Sequence, residues 1–172
     1  KAQKEIEVVE FPYFVNGTLV NVKYRGKNKD FSFEPGCEVV LFNMDNIMHE
    51  SECIIVEGEW DALSYVEAGF MNVASVPNGF TLPRSDGSSS INLSYLDDYW
   101  RFIQNKERVY LAVDNDEAGN HGKQELIRRI GSEKCWSVDF KDCKDANEYL
   151  VKYGKEALAK TIEEAVQIPM EN

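Results

Sequence analysis

The stretch that decides the fold is Val109-Tyr110-Leu111-Ala112-Val113-Asp114-Asn115-Asp116-Glu117-Ala118-Gly119. Its first five residues are apolar or aromatic, which predicts a strand buried on both faces of a sheet. The strand ends at Asp114 and Asp116, Gly119 is expected to let the chain turn, and residues 120–129 are predicted to form a helix. Two carboxylates one residue apart repel each other and lose hydration unless a cation lies between them. The stretch therefore predicts a metal-binding strand end.

Strands and helices are predicted to alternate along most of the chain after residue 50. Further apolar strands are expected at 53–56, 73–76 and 134–140, and further helices at 60–68, 92–104, 146–153 and 155–166. Strand–helix repeats of this length predict a parallel sheet with right-handed crossovers. We therefore expect an α/β protein with a Rossmann-like parallel sheet of about four strands flanked by helices.

The first part of the chain has a different pattern, because residues 11–42 carry strand signals without intervening helices. Asn16-Gly17 predicts a tight hairpin turn. In the strand that follows, one face is expected to pack and the other to present Lys23 and Arg25. A run from residue 21 to 29 contains four cationic residues and no acid: Lys23, Arg25, Lys27 and Lys29. A phosphate-binding arm and a solvated hairpin tip are equally good interpretations of this run.

Composition limits the function classes. The chain has 172 residues and a formal net charge of −11, which argues against a nucleic-acid partner except at the basic run. No stretch approaches the ~18 consecutive apolar residues of a membrane span, so no membrane partner is expected. The four cysteines lack CxxC spacing, which excludes a zinc ribbon and favours a reducing, cytosolic compartment. Because the sequence begins at Lys1 without methionine, we expect an excised piece of a longer protein.

Acidic residues follow three of the four predicted strands. Glu57 ends the first, Asp114 and Asp116 end the third, and Asp142 and Asp145 follow the fourth, while Asp61 lies one helical turn after Glu57. If the strands are neighbours, these carboxylates meet in one crevice. Hard oxygen ligands around a partly open site suit Mg²⁺, with Mn²⁺ as a substitute, and such sites support phosphoryl or nucleotidyl transfer.

Simpler interpretations of these residues exist. An Asp-x-Asp pair also serves as a helix N-cap. The spacing from Asp114 to Glu125 resembles an EF-hand loop, but Ala118 at the fifth position offers no side-chain oxygen. Trp60 and Trp100, at helical positions, are predicted to be core residues rather than platforms for base stacking. No GxxxxGK[ST] phosphate loop is present.

Three short motifs in order carry a family resemblance. They are Val56-Glu57-Gly58-Glu59-Trp60-Asp61, Asp114-Asn115-Asp116-Glu117-Ala118-Gly119 and Lys144-Asp145-Ala146-Asn147-Glu148. Together they resemble the Toprim signature, and more narrowly that of primase-helicases of the phage and mitochondrial type. Asn147 stands where the bacterial primase branch has a second aspartate, which puts a third metal site in doubt. The resemblance implies a Toprim-type catalytic domain over residues 51–172 and a β-rich basic subdomain over residues 1–50.

The resemblance also implies an activity and roles. It implies a DNA primase core that makes short RNA primers on a single-stranded DNA template from ribonucleoside triphosphates, next to a replicative helicase module in cis or in trans. Glu57 would handle a proton or orient metal, and Asp114 and Asp116 would hold Mg²⁺. Asp61 and Asp145 would complete the acidic pocket, with Asp145 also a candidate metal ligand, and the basic run would bind template or nucleotide phosphates.

Other functions stay open at this point. A Toprim nuclease uses a similar acidic pocket, although the basic hairpin argues against it, and a non-catalytic DNA-binding or assembly domain beside a helicase is also possible. A topoisomerase fits least, because its strand-passing modules would have to lie elsewhere. The expected location is the cytoplasm of a bacterium or of a phage-infected cell, with an organelle left open.

Overall fold

The computed structural model describes residues 6–28 and 30–170. Three strands form an antiparallel sheet near the N-terminus: β1 (Val9–Val15), β2 (Thr18–Arg25) and β3 (Phe31–Phe33). The turn between β1 and β2 consists of Asn16 and Gly17, with φ of 50° and 74°. Asn and Gly tolerate positive φ at both turn positions, so the predicted tight hairpin is confirmed.

A second sheet has five strands: β4 (Glu52–Val56), β5 (Val73–Ser75), β6 (Arg108–Ala112), β7 (Cys135–Ser137) and β8 (Val166–Gln167). Their order is β5-β4-β6-β7-β8, and all neighbours are parallel except β7 and β8. The predicted parallel sheet of about four strands is confirmed. The antiparallel edge strand β8 was not predicted.

The helices are α1 (Asp45–Met48), α2 (Glu59–Glu67), α3 (Trp100–Gln104), α4 (Glu117–Ile130), α5 (Ala146–Tyr153) and α6 (Lys155–Glu163). They cover both faces of the second sheet. Val109 and Leu111 pack with α1, α3 and α4, whereas Tyr110 and Ala112 pack with α2, α5 and α6. Alternate residues of β6 therefore enter opposite cores, as expected for a strand buried on both faces.

Several predicted boundaries were wrong because local hydrogen bonds end or begin the elements. The Asp116 side chain accepts from the Gly119 amide at 2.8 Å, so α4 begins at Glu117 and Gly119 lies inside the helix rather than in a turn. β7 ends at Ser137 rather than at residue 140, and an Asx turn follows it, in which the Asp139 carboxylate accepts from the Lys141 amide at 2.7 Å.

Two helices also differ from the prediction. The segment 92–104 is a 3₁₀ turn over Ser94–Tyr99 followed by α3, because the Asn92 side chain accepts from the Ser94 amide at 2.9 Å and favours a turn there. The last helix ends at Glu163, since Val166–Gln167 pairs with the free edge of β7 instead of extending it.

The two sheets share contacts through the segment that links them. Leu41, Met44 and Ile47 pack in the core of the second sheet, and the Phe42 ring packs edge-on against Tyr13 of β1 at 5.4 Å between centroids. The proposed domain boundary at residue 50 stays a prediction. All four cysteines are free thiols. Among the helices of the described residues, none combines the length and the hydropathy needed to span a membrane.

Candidate active site

A cleft of about 450 Å³ opens at the carboxyl ends of β4 and β6. The carboxyl ends of parallel strands are where α/β sheets bind ligands. One wall belongs to the second sheet and the other to the N-terminal sheet. The ionisable residues that line it are Lys23, Arg25, Glu57, Glu59, Asp61, Asp114, Lys144 and Asp145. The structure thus brings together most of the acids that the sequence singles out, opposite two cations of β2.

Glu57 directly follows β4 and is held by backbone amides on both of its oxygens. Its Oε1 accepts from the Phe80 amide at 3.0 Å, and its Oε2 accepts from the Asp114 amide at 3.3 Å. Burial, followed by the charge of Asp114, raises the pKa of Glu57 to about 7. A carboxylate with that pKa can accept or give a proton near neutral pH.

Asp61 lies on the first turn of α2 and is 7% exposed. Burial, followed by the charge of Asp145, raises the pKa of Asp61 to about 8. Its Oδ1 accepts from the Asn147 amide at 3.0 Å, and the Asn147 side chain donates to Ser64 at 3.1 Å. Asn147 therefore ties α5 to α2 in this structure, and its side chain donates a hydrogen bond where an aspartate would add a charge.

Asp114 and Asp116 extend from the loop after β6. Asp116 caps α4 and is not among the residues that line the cleft, whereas Asp145 lines it and caps α5 by accepting from the Glu148 amide at 2.8 Å. The Lys144 ammonium lies 3.1 Å from Asp114 Oδ2 and 3.5 Å from Asp116 Oδ2. Burial raises the pKa of Asp114 even so, although Lys144 opposes that shift.

The acidic residues of the cleft suit a divalent cation only in an open site. Within residues 6–28 and 30–170, no three acidic, histidine or cysteine side chains are grouped so that they could hold one metal ion. The pair Asp114 and Asp116 nevertheless encloses a cation, Lys144, at the place predicted for metal. Mg²⁺ commonly binds through one or two carboxylates and completes its shell with water and substrate phosphates. The residues present fit that kind of open site, rather than a closed site built from protein ligands alone.

The basic residues of the N-terminal hairpin are placed differently from one another. Lys23 is 3% exposed, so the expectation of a solvent-exposed basic face is wrong for this residue. Burial lowers the pKa of Lys23, an effect that Glu59 opposes. Arg25 is half-buried and lines the cleft, whereas Lys27 is exposed and pairs with Glu7 at 2.6 Å. Lys29 lies outside the described residues.

Sequence reasoning gave no role to several residues of the cleft. Glu59 is 0% exposed and lies between the two sheets, although its motif position gave it no role in advance. The segment after β5 contributes the Pro77 carbonyl, which accepts from Lys23, and the Phe80 amide. Trp60 is 44% exposed and lines the cleft, so its prediction as a core residue is wrong, whereas Trp100 packs against the core.

Comparisons with known proteins agree with this geometry. Residues 54–150 match the family described as Toprim-like. The chain is 37% identical to a "Primase homolog protein" of Arabidopsis thaliana over 99% of its own length and 55% of that protein's. It is 36% identical to the "Twinkle homolog protein, chloroplastic/mitochondrial" of the same plant, over 95% of this chain and 24% of the relative.

A solved structure shows the same fold. It is the primase fragment of the bacteriophage T7 primase-helicase protein, with a TM-score of 0.74 and 22% identity, covering 91% of this chain and 62% of that one. The parallel sheet and these matches define an α/β protein with a Toprim-type fold. The chain belongs to the Toprim-like family, and it spans about half the length of the plant primase homolog that it matches.

Proposed function

We propose that this chain is the catalytic core of a DNA primase that makes short RNA primers on a single-stranded DNA template. The observation that carries the proposal is the cleft itself. Acids with raised pKa values lie on the wall formed by the second sheet, and Lys23 and Arg25 lie on the opposite wall. That arrangement fits a substrate that carries both a reacting hydroxyl and several phosphates. One relative is described as a primase homolog and the matched solved structure is a primase fragment, which supports the same class.

The residues would divide the reaction between them. Glu57, with a pKa of about 7, would accept the proton of the attacking ribonucleotide 3′-hydroxyl. Arg25 would bind the phosphates of the incoming ribonucleoside triphosphate, and the buried Lys23 would add its positive charge to the same wall of the cleft. Asp114 and Asp116, with Asp145 nearby, would hold a divalent cation, Mg²⁺ or Mn²⁺. When bound, that cation would supply charge neutralisation for the reacting phosphate and the leaving pyrophosphate.

The larger setting is also a proposal. We expect a replicative helicase module in cis or in trans, because one relative is described as a Twinkle homolog and the matched solved structure comes from a primase-helicase. The four free thiols fit a reducing compartment, with bacterial, phage and organellar locations all compatible.

The experiment incubates the protein with single-stranded DNA, labelled ribonucleotides and Mg²⁺ or Mn²⁺. Short oligoribonucleotides are expected from the unaltered chain, with Glu57→Gln at least about 100-fold slower and Asp114→Ala or Asp116→Ala inactive but folded. Asp98→Asn, an exposed acid outside the cleft, is the matched control and is expected to be unchanged. Shortened DNA would instead indicate a nuclease, and binding without any product would indicate a non-catalytic domain.

A further inference from the structure

Glu59 joins the two sheets through a single buried carboxylate. It lies on the first turn of α2, and its partners all come from the N-terminal sheet. Its Oε1 accepts from the Tyr13 hydroxyl at 2.6 Å and lies 2.7 Å from the Lys23 ammonium. Its Oε2 lies 3.8 Å from the Arg25 guanidinium, and none of the described residues donates a hydrogen bond to it.

These contacts leave Lys23 and Arg25 with different freedom. A lysine ammonium has three donors. Lys23 directs one to Glu59 and one to the Pro77 carbonyl at 2.7 Å, and the Phe31 ring lies 4.3 Å from the same ammonium. Arg25 is held only at 3.8 Å by Glu59, and its side chain remains 27% exposed toward the cleft. Lys23 is thus fixed between three segments, and Arg25 keeps donors available for a ligand.

We propose that Glu59 is a positioning residue that holds Lys23 and Arg25 over the acidic cleft and so sets its affinity for nucleotide phosphates. This inference rests on the proposed function for the identity of the ligand. The burial of Glu59 supports this inference. Removing a carboxylate from water costs free energy unless charged or hydrogen-bonding partners compensate, and here those partners include the two cations of the cleft.

A positioning role for Glu59 and simple charge neutralisation by Glu59 have opposite effects on phosphate binding. Glu59 neutralises one of the two cationic charges, so removing its charge makes this wall of the cleft more positive. If Glu59 only reduced the positive electrostatic potential of this wall, Glu59→Gln would strengthen phosphate binding. If it positions the cations, the same change weakens binding, since Lys23 and Arg25 lose the carboxylate that orders them. The two roles therefore predict shifts of opposite sign.

The test measures KM for ribonucleoside triphosphate and kcat in primer synthesis, and independently titrates ATP and a single-stranded DNA oligonucleotide by calorimetry. For Glu59→Gln we expect KM and the ATP dissociation constant to rise about tenfold, which corresponds to about 1.4 kcal/mol, with kcat changed less than KM. Tyr13→Phe is the matched control. It removes a hydrogen bond from the same Oε1 without touching a cation and is expected to leave KM within about twofold.

Each outcome decides the matter. A lower KM for Glu59→Gln, or a loss of kcat at constant KM as a smaller folded fraction would give, overturns the positioning role. An equal rise of KM in Tyr13→Phe also overturns it, because the effect would then come from loosened packing. Binding of ATP that depends on Glu59 without any primer synthesis would retain the inference and refute the primase function. If the unaltered chain binds neither ATP nor DNA, no phosphate site exists for Glu59 to position.

Discussion

Replacing Gly119 by alanine tests how closely helix α4 packs on the strand end that carries Asp114. Gly119 lies in the first turn of α4 and is buried. A Cβ added there would overlap the Asp114 carbonyl oxygen and would lie 2.8 Å from the carbonyl carbon. The obstacle is backbone, so it cannot be relieved by turning a side chain.

Two effects of opposite sign decide the magnitude. Alanine is the better helix former by about 1 kcal/mol. Overpacking a well-packed site typically costs about 1–3 kcal/mol, and a backbone contact belongs at the upper end of that range. We therefore expect Gly119→Ala to lower the free energy of unfolding by about 1–2 kcal/mol, which for a chain of this size is a fall in Tm of roughly 2–8 °C.

The same displacement should disturb the proposed Mg²⁺ site, because the Asp114 carbonyl and carboxylate belong to one residue. The assay is thermal unfolding with and without millimolar Mg²⁺. The unaltered chain should gain stability with Mg²⁺ and Gly119→Ala should gain little. Asn120→Ala is the neighbouring control, since Asn120 is exposed and alanine should stabilise the helix by a few tenths of a kcal/mol there. A Gly119→Ala protein as stable as the original, with an intact Mg²⁺ response, would refute the reasoning.

Three further predictions concern charge. The folded-state pKa values of Glu57 and Asp61, about 7 and about 8, lie above their unfolded values near 4. Between these pH values the folded state therefore binds protons that the unfolded chain has lost. Without divalent metal, the contribution of these two groups to stability should fall as pH rises from about 4 to about 8. Thermal unfolding against pH measures this, and Asp61→Asn should flatten the decline, so an identical slope would contradict it. At the proposed site, Mg²⁺ would have to displace the Lys144 ammonium from between Asp114 and Asp116, so Lys144→Gln should shift the Mg²⁺ midpoint of stabilisation to lower concentration. An unchanged or higher midpoint would count against this competition. Arg25→Ala should reduce the slope of log affinity against log salt concentration for single-stranded DNA by about 0.7, whereas Lys27→Ala, whose lysine pairs with Glu7, should change it less. Equal effects of the two changes would argue for a diffuse basic surface.

Most of the second sheet was predictable because its strands are local apolar runs that end in charged or turn-forming residues. The run before Asp114 has a strand pattern of its own, independent of the rest of the chain. The short edge strand β8 was not predictable, because its two residues adopt a strand conformation only through pairing with the edge of β7. The helix predicted from residue 92 failed for the related reason that a side-chain hydrogen bond of Asn92 competes with the helical one.

The acids of the cleft were identifiable from their positions after strands, since the parallel arrangement brings strand ends to one edge of the sheet. What the sequence could not provide was the set of partners that each side chain meets. Alternation along β2 placed Lys23 and Arg25 on one face, but it could not show what that face meets, and the exposure predicted for Lys23 was wrong. The answer depends on Glu59, which lies 36 residues after Lys23 along the chain and 2.7 Å from it in space.

By itself, then, the sequence determined the α/β class, the strand-end location of Glu57, Asp114 and Asp116, and the family signature. Each of these depends on patterns among residues that are close together in the chain. The tertiary structure alone decided that Lys144 lies between the paired aspartates and that a buried Glu59 joins two cations to the cleft. The physical reason is that charge, burial and hydrogen bonding depend on distances between groups far apart in the chain, and only the packed fold sets those distances.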